Sequence, residues 1–264
     1  MEHKSGSSGG QRRGISGSTL KLIAIITMFI DHIGAIVVER MIRMSSPVLE
    51  GMGVQPDPEA LYQFYITLRY IGRLGFPLFC FLLIEGFCHT RNKKKYAERL
   101  FLFALISELP FDLGFTGGIF YPQYQNVFFT LFLGFLVMTG IEWIEEKKTW
   151  EPAGRLLFEF VVVSAGIGCA EFLQTDYGGM GVFTIVFMYA LRQWRLLSAA
   201  AGCTVLTCMN ALEVSAYTIL LPVWLYDGRR GWKIKWLFYL FYPVHILLLY
   251  GIACGLGLGE VMLR

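Results

Sequence analysis

The stretch LKLIAIITMFIDHIGAIVV, residues 20–38, decides the fold. At about 1.5 Å of rise per helical residue it can cross a hydrocarbon core of about 30 Å. Its only charged or titratable groups are Lys21 at the start and Asp31 and His32 beyond the middle. It lacks a small-residue cleavage site and carries two polar groups in its apolar part, so it reads as a retained membrane span and not as a signal peptide. The preceding residues 1–18 (MEHKSGSSGGQRRGISGS) are rich in Gly and Ser and predict a disordered cytoplasmic tail.

Moving outward from this run, eight more apolar segments follow at 65–87, 99–113, 126–144, 156–173, 178–191, 196–212, 215–226 and 236–256. The whole chain is 55% hydrophobic and only 16% charged, where a soluble domain would carry about a quarter charged residues. The expectation is an all-α, polytopic transmembrane bundle of about nine helices, one membrane domain over residues 19–260.

Basic residues test that count, because cytoplasmic loops are enriched in Lys and Arg. With the tail inside, eighteen of the 23 basic residues fall on inside segments. These are the tail with Lys21, then 91–99 (Arg91, Lys93, Lys94, Lys95, Arg99), 147–155, 192–195 and 229–235 (Arg229, Arg230, Lys233, Lys235). Only Arg40, Arg43 and Arg264 fall outside, and Arg69 and Arg73 lie within a span. A wrong span count would scramble this asymmetry. The expected topology is therefore N-terminus cytoplasmic and C-terminus extracytoplasmic, in the cell (inner) membrane with its lipids as partners. Residues 39–64, with Pro47, Pro56 and Pro58, form the one long outer connection. The net charge of +3 is mild and points to no nucleic-acid partner. The six cysteines sit in or beside apolar runs without a CxxC pair, so neither a disulfide framework nor a metal site is expected.

Charged groups inside a membrane are costly and by default face the bundle interior. Asp31 and His32 lie roughly 17 Å from the cytoplasmic side, and Arg69 and Arg73 within roughly 7 to 13 Å of the outer end of their span. The i, i+4 spacing puts both guanidiniums on one face. Glu108, just before Pro110, and His245, just after Pro243, lie near the middle of their spans, while Asn126, Glu171, Asp176, Asn210 and Glu213 gather towards the outer ends. Two arginines, two histidines and two carboxylates at one level predict a single polar cavity. Adjacent helical residues point about 100° apart, so Asp31 is as suited to pairing with Arg73 or Arg69 as to orienting His32. In that event Glu108 or a backbone carbonyl is left to hold the imidazole. A histidine is the usual proton carrier near neutral pH.

Several stretches resemble the TraX family: 20–35 (LKLIAIITMFIDHIGA), 69–112 with its R-x3-R-x3-P and SELPFD, 125–134, 176–189, and 235–250 with its FYPVH. The resemblance implies acyl transfer, since that family's founding member acetylates the N-terminal amine of a conjugative pilin. The family is in turn similar to larger membrane acyltransferases that have a basic residue, ten further residues and then a catalytic histidine in the first span. Lys21 and His32 fit that spacing. The implied roles are His32 as general base, Arg69 or Arg73 as oxyanion donor, Asp31 and Glu108 as fixing groups and His245 as a further proton carrier. Acetyl-CoA or another acyl-CoA is the implied co-substrate, with no permanently bound cofactor. Its phosphates would meet Lys21, Arg91, Lys93, Lys94, Lys95, Arg229, Arg230 and Lys233, and the acceptor would be an extracytoplasmic pilin, peptide or glycan. A proton-coupled transporter or a structural part of an envelope assembly are the rival readings of the same buried charges.

Overall fold

The computed structural model describes residues 14–232 and 235–263. Helix α1 (Gly17–His32) passes without a break into a π-helical segment (Ile33–Val38) and α2 (Glu39–Arg43). There follow α3 (Pro47–Gly51), α4 (Pro58–Gly72), α5 (Gly75–His89), α6 (Lys93–Thr116), α7 (Val127–Glu145), α8 (Pro152–Phe172), α9 (Gly178–Ala190) and α10 (Arg195–Met209). A 3₁₀ stretch (Ala211–Ile219) leads into α11 (Leu220–Leu225), and α12 (Lys235–Gly255) closes the chain. Among the described residues the only β pairings are two isolated bridges. Five helical stretches are long and apolar enough to cross a membrane: Gly17–Arg43, Pro58–His89, Val127–Glu145, Pro152–Phe172 and Trp236–Gly255. The other expected spans fall on α6 and on shorter apolar helices at 178–190, 195–209 and 211–225. Large apolar side chains such as Leu156, Leu157, Phe160 and Leu248 face outward. So much exposed apolar surface suits lipid, and the chain is a multi-pass membrane protein.

Three local features depart from the sequence expectation. The second span is two helices, broken at Arg73 and Leu74. Pro77 accounts for the break, because its ring meets the carbonyl four residues earlier, that of Arg73, and it has no N–H to donate there. The eighth span begins earlier than expected and is 3₁₀ for nine residues before it becomes α-helical. At the start of the chain, residues 1–13, including Lys4, Arg12 and Arg13, lie outside the described residues, but 14–18 are ordered. Ser16 caps α1, and Ile15, Gly17 and Ser18 donate backbone N–H groups to the carbonyls of Leu225, Arg229 and Arg230 at 2.7–3.1 Å.

Those bonds place the start of α1 and the 226–232 loop at one end of the bundle. The opposite end is fixed by Arg40. Expected in an outer loop, it is instead wholly buried. Its guanidinium donates to the carbonyls of Ile36 and Gly114 at 2.7 Å and of Val261 at 3.1 Å. Carbonyl oxygens replace much of its water and the Tyr250 ring lies 5.7 Å from the guanidinium carbon, while Nη2 has no hydrogen-bond partner among the described residues. Ser46 adds a hydrogen bond to the Leu256 carbonyl at 2.7 Å. The chain segment after α12 is thus tied to the C-terminal end of the first span.

Candidate functional site

Asp31 and His32 are the last residues of α1 before its helix widens to the π form. Gly34 in that segment lets α4 come close, with Leu68 and Arg69 side-chain atoms 3.2 and 3.5 Å from where a Cβ would stand. π segments recur at functional sites because one extra residue per turn re-aims the side chains beside it. Here both neighbours, although successive in sequence, line one cavity of about 550 Å3.

Asp31 is shared between two cations. Its Oδ2 accepts from Arg69 at 2.7 Å and its Oδ1 from Arg73 at 3.0 Å. Arg73 turns its other terminal nitrogen to Glu213 Oε1 at 2.8 Å, and its Nε lies 3.3 Å from the Arg69 carbonyl. The broken helix makes this possible, since Arg73 caps α4 and so stands beside the first span. Gly72 is required as well: a Cβ there would collide with the Asp31 carboxylate. Glu213 is the most buried member, 1% exposed, and its Oε2 has no hydrogen-bond partner among the described residues. An unpaired carboxylate oxygen in such a place is expensive unless something meets it.

The far wall comes from the α8–α9 turn. Gln174, Tyr177 and Gly178 all take left-handed backbone angles (φ 51°, 65° and 52°), uncommon for the first two residues. The Tyr177 ring lies flat on Phe76, centroids 3.7 Å apart. Glu171 accepts from the Gly179 N–H at 2.8 Å, satisfying an otherwise orphan donor at the start of α9. Asp176 accepts from the Tyr124 hydroxyl at 2.6 Å, and its carbonyl accepts from Thr130. The cavity therefore holds four carboxylic acids (Asp31, Glu171, Asp176, Glu213) against two guanidiniums.

His32 is oriented by neither Glu108 nor a backbone carbonyl. Its Nδ1 lies 2.6 Å from His245 Nε2, with the two rings within 7° of coplanar. His245 Nδ1 in turn donates to the Phe241 carbonyl at 2.6 Å. The edges of Phe115 and Tyr242 pack on the His32 ring at 5.7 and 5.9 Å. His245 stands behind the imidazole and does not line the cavity. Glu108 is away from it too: it accepts from the Asn126 side chain, which caps α7, and so braces α6 against α7. Of the six residues read from sequence, the structure joins Asp31, His32, Arg69 and Arg73 in the cavity wall and His245 behind it. Glu213, Glu171 and Asp176 are members that depth along the helices hinted at without placing.

At the other end of α5 a wider groove of about 870 Å3 is lined by Glu85, His89, Arg192, Trp194 and Arg195 among others. Its ion pairs are loose: Arg195 to Glu85 at 3.6 Å and Arg192 to Glu145 at 3.4 Å. Along α5 the cavity reaches as far as Phe79 and the groove begins at Ile84, about 8 Å further on. Of the cations expected to meet phosphate, Lys93 is tied to Glu142, and Lys21 lies over the Phe238 ring at 5.5 Å. Arg91, Lys94, Lys95 and Arg230 are exposed, and Lys233 lies outside the described residues. Arg229 is paired with Asp227, whose carboxyl is held below its ordinary range by hydrogen bonds from the Arg229 guanidinium and backbone N–H.

Comparison with known proteins agrees with this picture in extent. Residues 16–253 match the family described as TraX protein. The "Probable fimbrial assembly protein FimC, serogroup H1" of Dichelobacter nodosus is 30% identical over 263 residues, covering 89% of this chain and 94% of that protein. No solved structure matches the chain.

Proposed function

Because the chain belongs to the TraX family, we propose that it is an integral-membrane acyltransferase of the inner membrane, moving an acetyl group from cytoplasmic acetyl-CoA to an extracytoplasmic amine. The observation that carries the reading is the placing of a histidine and two carboxylate-anchored arginines around one cavity. Acyl transfer needs a base for the nucleophile and a fixed cation for the oxyanion. The topology that goes with it has nine crossings, with residues 14–18 and the 226–232 loop in the cytoplasm and the Arg40 clamp outside.

In this reading the acceptor enters from the outer side, its ammonium drawn by Glu171, Asp176 and the open oxygen of Glu213. After the ammonium passes one proton to one of these carboxylates, the neutral amine nitrogen attacks the thioester carbonyl, and His32 Nε2 takes the second proton that the new C–N bond releases. Arg69 or Arg73 holds the tetrahedral oxyanion. Collapse breaks the C–S bond, and the imidazolium returns the proton to the departing thiolate. A fixed donor of this kind is worth about 3–4 kcal/mol and a general base about 10²–10⁴-fold. Asp31 keeps both arginines aimed, which spares reorganisation during the reaction.

The donor's phosphates have two candidate docking places on the cytoplasmic side. One is the set of exposed cations at 91–95 and 229–230. The other is the groove holding Arg192 and Arg195, with the Trp194 ring at its rim for an adenine. The looseness of the groove's ion pairs favours it, because a phosphate can replace a carboxylate 3.4–3.6 Å away at small cost. The acceptor class extends to this chain from the TraX family, and a place in pilus or fimbrial assembly from the named relative.

The test uses full-length protein in nanodiscs with labelled acetyl-CoA and a short peptide carrying a free N-terminus. Acetyl transfer is expected, with His32→Ala lowering it about 10²–10⁴-fold while acetyl-CoA still binds. Wild-type protein that neither binds nor hydrolyses acetyl-CoA would refute the reading.

A further inference from the structure

We infer that His245 is a positioning residue that fixes His32 as its Nδ1–H tautomer and so leaves the Nε2 lone pair as the site's base. The inference rests on the acyl-transfer reading for its consequence but not for its geometry.

One partner in this chain of contacts has no choice of role. A backbone carbonyl can only accept, so the 2.6 Å contact between Phe241 O and His245 requires a proton on His245 Nδ1. No carboxylate contacts His245 among the described residues, and an unpaired imidazolium this deep in a membrane bundle would be costly. With the ring neutral, its Nε2 carries a lone pair and must accept. The group that faces it, 2.6 Å away and nearly coplanar, is His32 Nδ1, which must therefore be the donor. A neutral His32 then has its lone pair on Nε2, the nitrogen not used by this chain of bonds. Free imidazole side chains favour the opposite tautomer, so the chain carbonyl–His245–His32 selects against the intrinsic preference.

This arrangement does with a neutral ring what a buried carboxylate does behind the histidine of hydrolytic triads, where the wrong tautomer costs about 10⁴ in kcat. The site's nearest carboxylate, Asp31, is taken up by Arg69 and Arg73 and is unavailable for that duty. Pro243 lies in the same turn of α12 as Phe241 and His245. Packing holds the relay in place, with the Phe241 ring stacked on His245 at 4.7 Å and Phe29 edge-on at 6.0 Å.

The experiment combines ¹⁵N NMR of histidine-labelled full-length protein in nanodiscs with acetyl transfer from acetyl-CoA to a short peptide. In the wild type His32 should show a protonated Nδ1 and a bare Nε2. His245→Phe keeps an aromatic ring but no acceptor. It should return His32 to the Nε2–H form and lower kcat by about 10²-fold or more, with KM for acetyl-CoA unchanged. His245→Gln places an amide oxygen near the lost Nε2 and should recover the tautomer and much of kcat. An Nε2–H His32 in the wild type overturns the inference, as does a His245→Phe enzyme with wild-type kcat. Should His245→Phe fail to fold, the wild-type spectrum and the Gln variant decide alone. An Nδ1–H His32 in a wild type that transfers no acetyl would sink the acyl-transfer reading and leave the tautomer assignment standing.

Discussion

The two ends of α5 are built on opposite principles. At its Gly75 end, both arginines are locked: they share Asp31, one of them also holds Glu213, and the side-chain exposure of these four is between 1% and 22%. At its Cys88 end, Arg192 and Arg195 are more open and meet their carboxylates at 3.4–3.6 Å. Buried pairs are strongly coupled and costly to break, whereas exposed ones contribute little. The first end suits chemistry that needs fixed dipoles, the second an exchangeable, charged visitor. A membrane enzyme with substrates on two sides would need both.

The largest effect expected is from removing the hub of the locked end. Asp31→Ala leaves two guanidiniums side by side without their shared anion. It should destabilise the fold by about 3–5 kcal/mol, read as a fall in the thermal midpoint of the detergent-solubilised protein, and abolish acetyl transfer. A variant with an unchanged midpoint would break the contrast outright, since the cluster would then be no more coupled than a surface pair. Of intermediate size is the paired change Arg192→Ala with Arg195→Ala. It should raise KM for acetyl-CoA about tenfold, with kcat and the thermal midpoint close to wild type and the difference shrinking at high salt. An unchanged KM would move the docking place to the 91–95 and 229–230 cations. The smallest effect belongs to the loop pair Arg229–Asp227 near the same end. The Asp227 carboxyl is held below its ordinary range by Arg229, so its contribution is present at neutral pH and fades only as pH falls below the usual carboxylate range. Asp227→Asn should therefore leave a thermal midpoint at pH 7 almost unaltered, and any difference should vanish in acid.

Height and direction are unequally legible in this sequence. Counting residues along each span puts Asp31, His32, Arg69, Arg73 and His245 at one level, and the structure gathers these five in one cluster. The count misplaces Glu108, which is at a suitable height but turns towards Asn126 and the α6–α7 seam. Height follows from rise per residue, whereas rotation depends on which helix lies next door, and a single sequence does not state that. Glu213 is hidden for the same reason: it sits in a 3₁₀ stretch whose threefold turn no α-helical wheel would reproduce. The break after Arg73 could have been anticipated from Pro77 alone. The burial of Arg40 could not, because its acceptors are carbonyls, which every residue has.

The π-helical segment at Ile33–Val38 lets the first span carry one residue more than an α-helix of the same height. At about 4.4 residues per turn, six π residues rotate the chain by roughly 490°, close to the roughly 500° of five α-helical ones. Loss of one residue there, with a return to ordinary α-helical bonding, would therefore leave Arg40 facing its three carbonyls much as before. The same loss would remove the widened turn that directly follows Asp31 and His32. A one-codon deletion in this part of the molecule thus separates the fastening of the segment after α12 from the shape of the cavity wall.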